Sequence, residues 1–282
     1  MNTENKDLQR LQEVNLEMVK KFIQICEKYG LRYYAVGGTL LGAVRHQGFI
    51  PWDDDVDLGM PRPDYEKFLQ IADAELKQME PQGRYRLRTI ETNEDYRTYI
   101  VKIEDTQVKL RREYYSKQGV EKKILNAWID IMPLDGMPQE QAAFDAHLEA
   151  VLKARKRLAA SMMDKCMGTS MKRSKKAMLI IRLGLKTGLF KLLNVDKSHQ
   201  RFEALCKKHA YEDAPIVGNT YGVYKGREFV EREIFGQGAL WTFEDIQLMG
   251  PQDADAYLRH VYGDYMQLPP VEARGGHEIE FV

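Results

Sequence analysis

The stretch Val36-Gly37-Gly38-Thr39-Leu40-Leu41-Gly42, followed by Ile50-Pro51-Trp52-Asp53-Asp54-Asp55-Val56-Asp57, decides the fold. Carboxylates crowded this closely repel one another unless positive charge sits among them, so a divalent cation is the first partner to consider. If 53–57 is extended, side chains alternate: Asp53, Asp55 and Asp57 share one face, and Asp54, Val56 and Leu58 take the other. Asp55 and Asp57, separated by Val56, can then hold one metal or bridge two. Mg²⁺ suits them, with Mn²⁺ as second choice, because it takes oxygen ligands and borrows others from substrate phosphates. Gly37-Gly38-Thr39 supplies the complementary half, since backbone N–H groups at a glycine turn leading into a helix bind phosphate and Thr39 adds a hydroxyl. A glycine pair alone is most often a plain turn, and an Asp run a solvated or calcium-binding loop. The EF-hand pattern fails, because neither its Gly nor its terminal Glu falls in place after Asp53. Together the two halves describe a site for a phosphate ester.

Outward from this stretch, Leu11, Met18, Phe22, Ile25 and Tyr29 recur at helical spacing, predicting an amphipathic helix over 7–29 closed by Gly30. Leu31–Val36 reads as a strand, Thr39–Arg45 as a short helix, and Asp55–Met60 as a second strand stopped by Pro61-Arg62-Pro63. Asp64 is the expected N-cap of a helix reaching Leu76. Tyr85–Ile90, Tyr99–Ile103, Thr106–Arg111 and Ala127–Met132 read as further strands, with Pro133 and Asp135-Gly136 ending the last; Asp135 is expected to be a turn residue. From 139 to 210 the composition turns helical. From 216 onward short strands surround a helix over 253–262.

The chain has 282 residues, and 42 Lys plus Arg balance 42 Asp plus Glu, so no global field draws it to nucleic acid. Cys26, Cys166 and Cys206 are odd in number and far apart, which argues against a disulfide framework or a zinc site and fits a cytoplasmic protein. No apolar run reaches the length of a spanning helix, and the N-terminus lacks a signal-like apolar region.

The run 37–45, then Gly48-Phe49-Ile50-Pro51-Trp52-Asp53-Asp54-Asp55-Val56-Asp57-Leu58, resembles the signature of the LicD family, bacterial phosphorylcholine transferases related to fukutin. The resemblance continues through Lys102-Ile103-Glu104-Asp105-Thr106, Ile129–Asp135 and Tyr262–Pro270, with His277 beyond. It implies an α+β fold of the nucleotidyltransferase-like superfamily: a mixed β-sheet core flanked by helices, with a mostly helical second half. The expected organisation is a catalytic core over 1–138, with 139–282 completing the same catalytic unit.

By that match, Asp55, Asp57 and Asp130 are the catalytic and metal-binding acids, with Asp53 as an outer ligand. Asp130 could complete the metal site, act as general base, or be a strand-edge acid facing water. Gly37, Gly38, Thr39, Arg45, Trp52, Lys102 and His277 are the expected substrate contacts. Arg45 and Lys102 would balance diphosphate charge, against the plainer reading of each as a surface cation. Tyr33, Tyr34, Trp52 and Trp128 are core residues or members of a cage for a quaternary ammonium, and Arg274 lies in a tail that could fold over the site.

The implied reaction is metal-dependent transfer of phosphocholine from CDP-choline, or a related CDP-alcohol, to a sugar hydroxyl of a teichoic acid, lipopolysaccharide or capsule precursor, releasing CMP. Rivals on the same fold are a nucleotidyltransferase and a phosphoglycerol or phosphoethanolamine transferase. A D-x-D glycosyltransferase and a catalytically silent nucleotide-binding protein are weaker. Between Lys172 and Lys191 lie seven basic residues and no acid, with Met178, Ile181, Leu185, Leu189 and Leu192 at helical spacing. This segment, 172–193, is expected either to lie on an anionic membrane, at the inner face of the cell membrane, or to pack its apolar face inward.

Overall fold

In a computed structural model of the chain, residues 3–92, 98–115, 120–163, 175–270, 272, 274 and 280–282 are described. Helix α1 (Thr3–Tyr29) buries Met18, Phe22 and Ile25 and stops at Gly30, whose φ is +61°. The expected strand after it shrinks to β1 (Tyr34–Ala35), and α2 (Gly37–His46) starts at the glycine pair itself. Strand β2 (Asp57–Pro61) leads into α3 (Arg62–Met79), with Pro63 in its first turn, where a missing N–H costs nothing. Asp64 is not the N-cap of α3; Pro61 holds that position, and Asp64 accepts a 2.8 Å hydrogen bond from Arg32.

Strands β3 (Tyr85–Arg88), β4 (Val101–Tyr115) and β5 (Val120–Met137) follow. The two strands expected between 99 and 111 are one, interrupted by a register shift between Asp105 and Lys109. Nor does β5 stop at Pro133. Pro133 lies opposite Met60 in the parallel β2·β5 ladder, and the strand continues to Met137 by taking a new neighbour, β6 (Ile216–Asn219). Leu134 pairs with Pro61 on one side and Asn219 on the other, so β6 occupies the flank that β4 leaves beyond Ile131.

Helices α4 (Gln141–Ser161), α5 (Lys175–Thr187) and α6 (Val195–Cys206) separate β5 from β6. After β6 come β7 (Phe229–Glu231), α7 (Arg232–Phe235), the hairpin β8 (Ala239–Phe243) and β9 (Ile246–Gly250), and α8 (Ala254–Tyr262). The main sheet runs β1-β2-β5-β4-β3, with β6 on β5 and β7 on β6; only β2·β5 is parallel. The fold is α+β, and residues from the second half of the chain enter the same sheet as the acid strands.

Asp135 is the largest departure from the sequence reading. Instead of turning the chain, it is buried in β5 and takes a two-pronged ion pair from Arg62 at 2.6 and 2.8 Å and a hydrogen bond from Thr220 at 2.7 Å. Cys26 and Cys206 are buried free thiols, and Cys166 lies outside the described residues.

Candidate functional site

The acid loop is not a strand until Asp57. Residues 53–56 are held by α1, where Gln12 donates to the Asp53 carbonyl at 2.9 Å and Asn15 to the Asp54 carbonyl at 3.1 Å. These bonds satisfy backbone groups that a ladder would otherwise take, and they leave the Asp53 and Asp55 side chains half-buried while Asp54 is buried.

The helix α2 opens directly over this loop. Gly37 has φ +56°, and a Cβ there would lie 3.4 Å from Asp57 Oδ2; one on Gly38 would come within 2.7 Å of Asp53 Oδ2. The left-handed φ of Gly37 favours glycine there, and a side chain on Gly38 would have to displace the Asp53 carboxylate. Val36, the N-cap, offers no side-chain acceptor, and the Gly37 N–H goes to the Tyr257 hydroxyl, so the Gly38 and Thr39 N–H groups are the ones that face an anion. The Thr39 hydroxyl is already used: its Oγ1 accepts the Asp57 N–H at 2.8 Å, tying the glycine turn to the head of β2.

Across the sheet, Asp57 pairs in register with Asp130, and Asp130 with Lys102 on β4. Register partners on adjacent strands share a face about 4.8 Å apart, so Asp57, Asp130 and Lys102 form a row over three strands. Lys102 makes an ion pair with Asp130, and its ammonium lies 4.4 Å from the centre of the Trp128 ring. Lys102, expected as a phosphate contact, is thus held in an ion pair with Asp130.

Burial first, then the repulsion of Asp55 and Asp54, pushes Asp53 up to about 8. Asp57 is pushed well above the carboxylate range by burial and by Asp55, Asp130, Asp53 and Glu228. Among the described residues no three His, Cys, Asp or Glu side chains already converge as a metal-ligand group. The donor set nevertheless fits a hard divalent cation: it is all oxygen, and two of its carboxylates, Asp53 and Asp57, are disfavoured as anions by burial and by their acidic neighbours.

On the α2 side, the Arg45 guanidinium donates to the Tyr265 carbonyl at 2.6 Å and to His46 Nε2 at 2.9 Å. Arg274 lies over the Trp52 ring at 5.1 Å and donates to the Pro269 carbonyl at 2.8 Å. Burial and then the repulsion of Arg274 lower the pKa of Arg45. Neither guanidinium has a carboxylate within ion-pair distance among the described residues, so the pair forms a positive rim to the acid-lined site.

Sequence reasoning missed the opposite wall. Tyr257 receives the Gly37 N–H at 3.5 Å, and the Tyr262 hydroxyl lies 3.8 Å from where a Gly37 Cβ would stand. Tyr224 meets Tyr262 edge-on at 5.3 Å. Buried Glu228 accepts the Tyr224 N–H at 2.9 Å, is raised by burial, and acts electrostatically on Asp57. Lys225-Gly226-Arg227-Glu228 reads as an exposed polar turn, with no motif to flag its carboxylate. Tyr33 and Tyr34 are core residues: Tyr33 packs edge-on against Phe22, and Tyr34 reaches the Gly236 carbonyl. His277 lies outside the described residues.

Residues 30–139 match the family model described as LicD/FKTN/FKRP, nucleotidyltransferase domain. The chain is similar, at 27% identity over 276 residues, 97% of this chain and 96% of the other, to the lipopolysaccharide cholinephosphotransferase LicD of Haemophilus influenzae. It is also similar to the ribitol 5-phosphate transferases FKRP of mouse and human, at 44% identity over 59 residues, 21% of this chain and 12% of those proteins. With these likenesses, the chain is a phosphotransferase. Its likeness to the LicD family lies in residues 30–139 and, more thinly, along nearly the whole chain.

Proposed function

We propose that the chain transfers phosphocholine from a CDP-linked donor to a sugar hydroxyl of a lipopolysaccharide-type glycan precursor, releasing CMP at the cytoplasmic face of the membrane. The observation that carries this reading is the row of Asp57 and Asp130 on β2 and β5, set against the uncapped N-terminus of α2. The donor and acceptor follow from the likeness to the Haemophilus cholinephosphotransferase.

The acceptor oxygen forms a bond to the choline-bearing phosphorus while the bond to the bridging oxygen breaks, and CMP departs with that electron pair. The Gly37-Gly38 turn grips donor phosphate through the Gly38 and Thr39 N–H groups, and Arg45 with Arg274 closes on the diphosphate from the rim. Asp55 and Asp57 would hold Mg²⁺, or Mn²⁺, with Asp130 as third acid and Asp53 as outer ligand. When bound, the metal would neutralise diphosphate charge and align it. Asp130 serves the metal, takes the hydroxyl proton, or does both in turn, while Lys102 fixes its orientation.

Purified protein incubated with Mg²⁺, a panel of CDP-alcohols and glycan acceptors should release CMP fastest from CDP-choline. Asp55→Asn and Asp57→Asn should lower kcat by about three orders of magnitude or more with the fold retained. Full turnover in either variant overturns the site. A preference for a CDP-polyol would favour the second reading, which the ribitol 5-phosphate transferase likeness supports. Asp130→Asn separates its two roles: lost metal affinity marks a ligand, and retained affinity with lost turnover marks the base.

A further inference from the structure

Among the described residues, eleven large apolar side chains stand exposed, and five of them fall in α5 and the short 3₁₀ turn after it (Leu189–Leu192). The helix has two apolar faces. Ile181 and Leu185 turn inward to Met163 and Phe190, forming a small satellite cluster separate from the main core. Leu179, Ile180 and Leu183 stand 68%, 60% and 62% exposed on the other side, and Leu189 and Leu192 in the turn that follows are 58% and 79% exposed. Among the described side chains of this helix, packing therefore accounts for only one of the two apolar faces.

Charge decides what covers the other half. Arg182, Lys186 and Lys191 are exposed beside the outward leucines, and none has an acidic partner among the described residues. The sequence has no acid anywhere from 172 to 193. In a chain whose formal charge is 0, this is a local concentration of positive charge around an apolar strip. A second copy laid on the same face would set these cations against their equals. An anionic bilayer surface satisfies both features at once, taking the leucines into the acyl boundary and the cations at the headgroups.

We infer that α5 and the 3₁₀ turn after it form an interfacial membrane-docking element selective for anionic lipid. The inference does not depend on the transferase reading, because binding is measured without turnover. The full chain is sedimented with phosphatidylcholine vesicles and with vesicles that also contain phosphatidylglycerol. Binding is expected to the anionic vesicles and to weaken with added salt. Leu183→Glu should weaken it by about tenfold, and the triple reversal Arg182→Glu, Lys186→Glu, Lys191→Glu by on the order of a hundredfold. These positions are exposed, so unchanged thermal unfolding in the variants verifies that the fold is kept. Equal binding to neutral and anionic vesicles, or no binding to either, overturns the inference. So does a concentration-dependent dimer that Leu183→Glu dissociates in the absence of vesicle binding, which would make the strip a self-interface.

Discussion

Asp57 carries the clearest conflict between stability and the function proposed for it. It is half-buried, and desolvation together with Asp55, Asp130, Asp53 and Glu228 acts on it with the same sign, so its charged form destabilises the metal-free fold. Asp57→Asn removes that cost and keeps the side chain's shape. The expected outcome is a higher melting temperature than wild type at pH 8 in the presence of a chelator, together with lost CMP release; a lower melting temperature would show that the carboxylate is compensated. Arg45 and Arg274 make the converse case, because two guanidiniums held together without a carboxylate are stabilised by a bound anion. Arg45→Ala and Arg274→Ala should each raise KM for the donor about tenfold, with acceptor KM unchanged. Equal effects on both substrates would move the rim away from the donor. Glycine, aspartate and arginine at these positions were legible in the sequence because their chemistry is local. Glu228, Tyr257 and Tyr262 were not, because only the folded chain brings them to Gly37 and Asp57.

At the scale of elements, α1, α2, α3 and α8 followed from periodicity and glycine stops, whereas β4 and β5 were misread for reasons the ladder explains. Pro133 usually ends a strand because it has no N–H to donate. Here it pairs on the parallel flank facing Met60 while the pairing with β4 stops at Ile131, opposite Val101, and β6, distant in sequence, picks up residues from Leu134 on. The same continuation makes Asp135 a buried partner of Arg62 and not a turn residue. The pair joins the start of α3 to β5, and Arg62 reaches onward to Glu203 on α6 at 2.9 Å. Arg62→Leu strands a buried carboxylate and should cost about 3–5 kcal/mol in denaturant unfolding. Adding Asp135→Leu should recover much of that loss, since two apolar side chains leave no uncompensated charge there. If the double variant is no more stable than the single, the pair is holding α3 by geometry and not by charge balance.

For the molecule as a whole, two sets of carboxylates set opposite limits on stability against pH. Glu140 accepts backbone N–H groups and Glu203 faces Arg62, and both lie below their ordinary range. A depressed acid stabilises the fold above its unfolded pKa, and that contribution is lost as pH falls through the folded value. Asp53 and Asp57 act in the other direction. The unfolded chain ionises them near pH ~4, whereas the folded chain keeps Asp53 protonated up to about 8 and holds Asp57 well above its ordinary range. Between those values the unfolded state binds fewer protons than the folded one, so stability falls as pH rises. Metal-free protein should therefore melt at its highest temperature at mildly acidic pH and at a lower one by pH 8. A divalent cation binds the ionised acids, so its stabilisation grows across the same window. Saturating Mg²⁺ should raise the melting temperature more at pH 8 than at pH 6, and Asp53→Asn with Asp57→Asn should flatten both trends. A Mg²⁺ increment independent of pH, or one that survives both substitutions, would place the ion away from the acid loop.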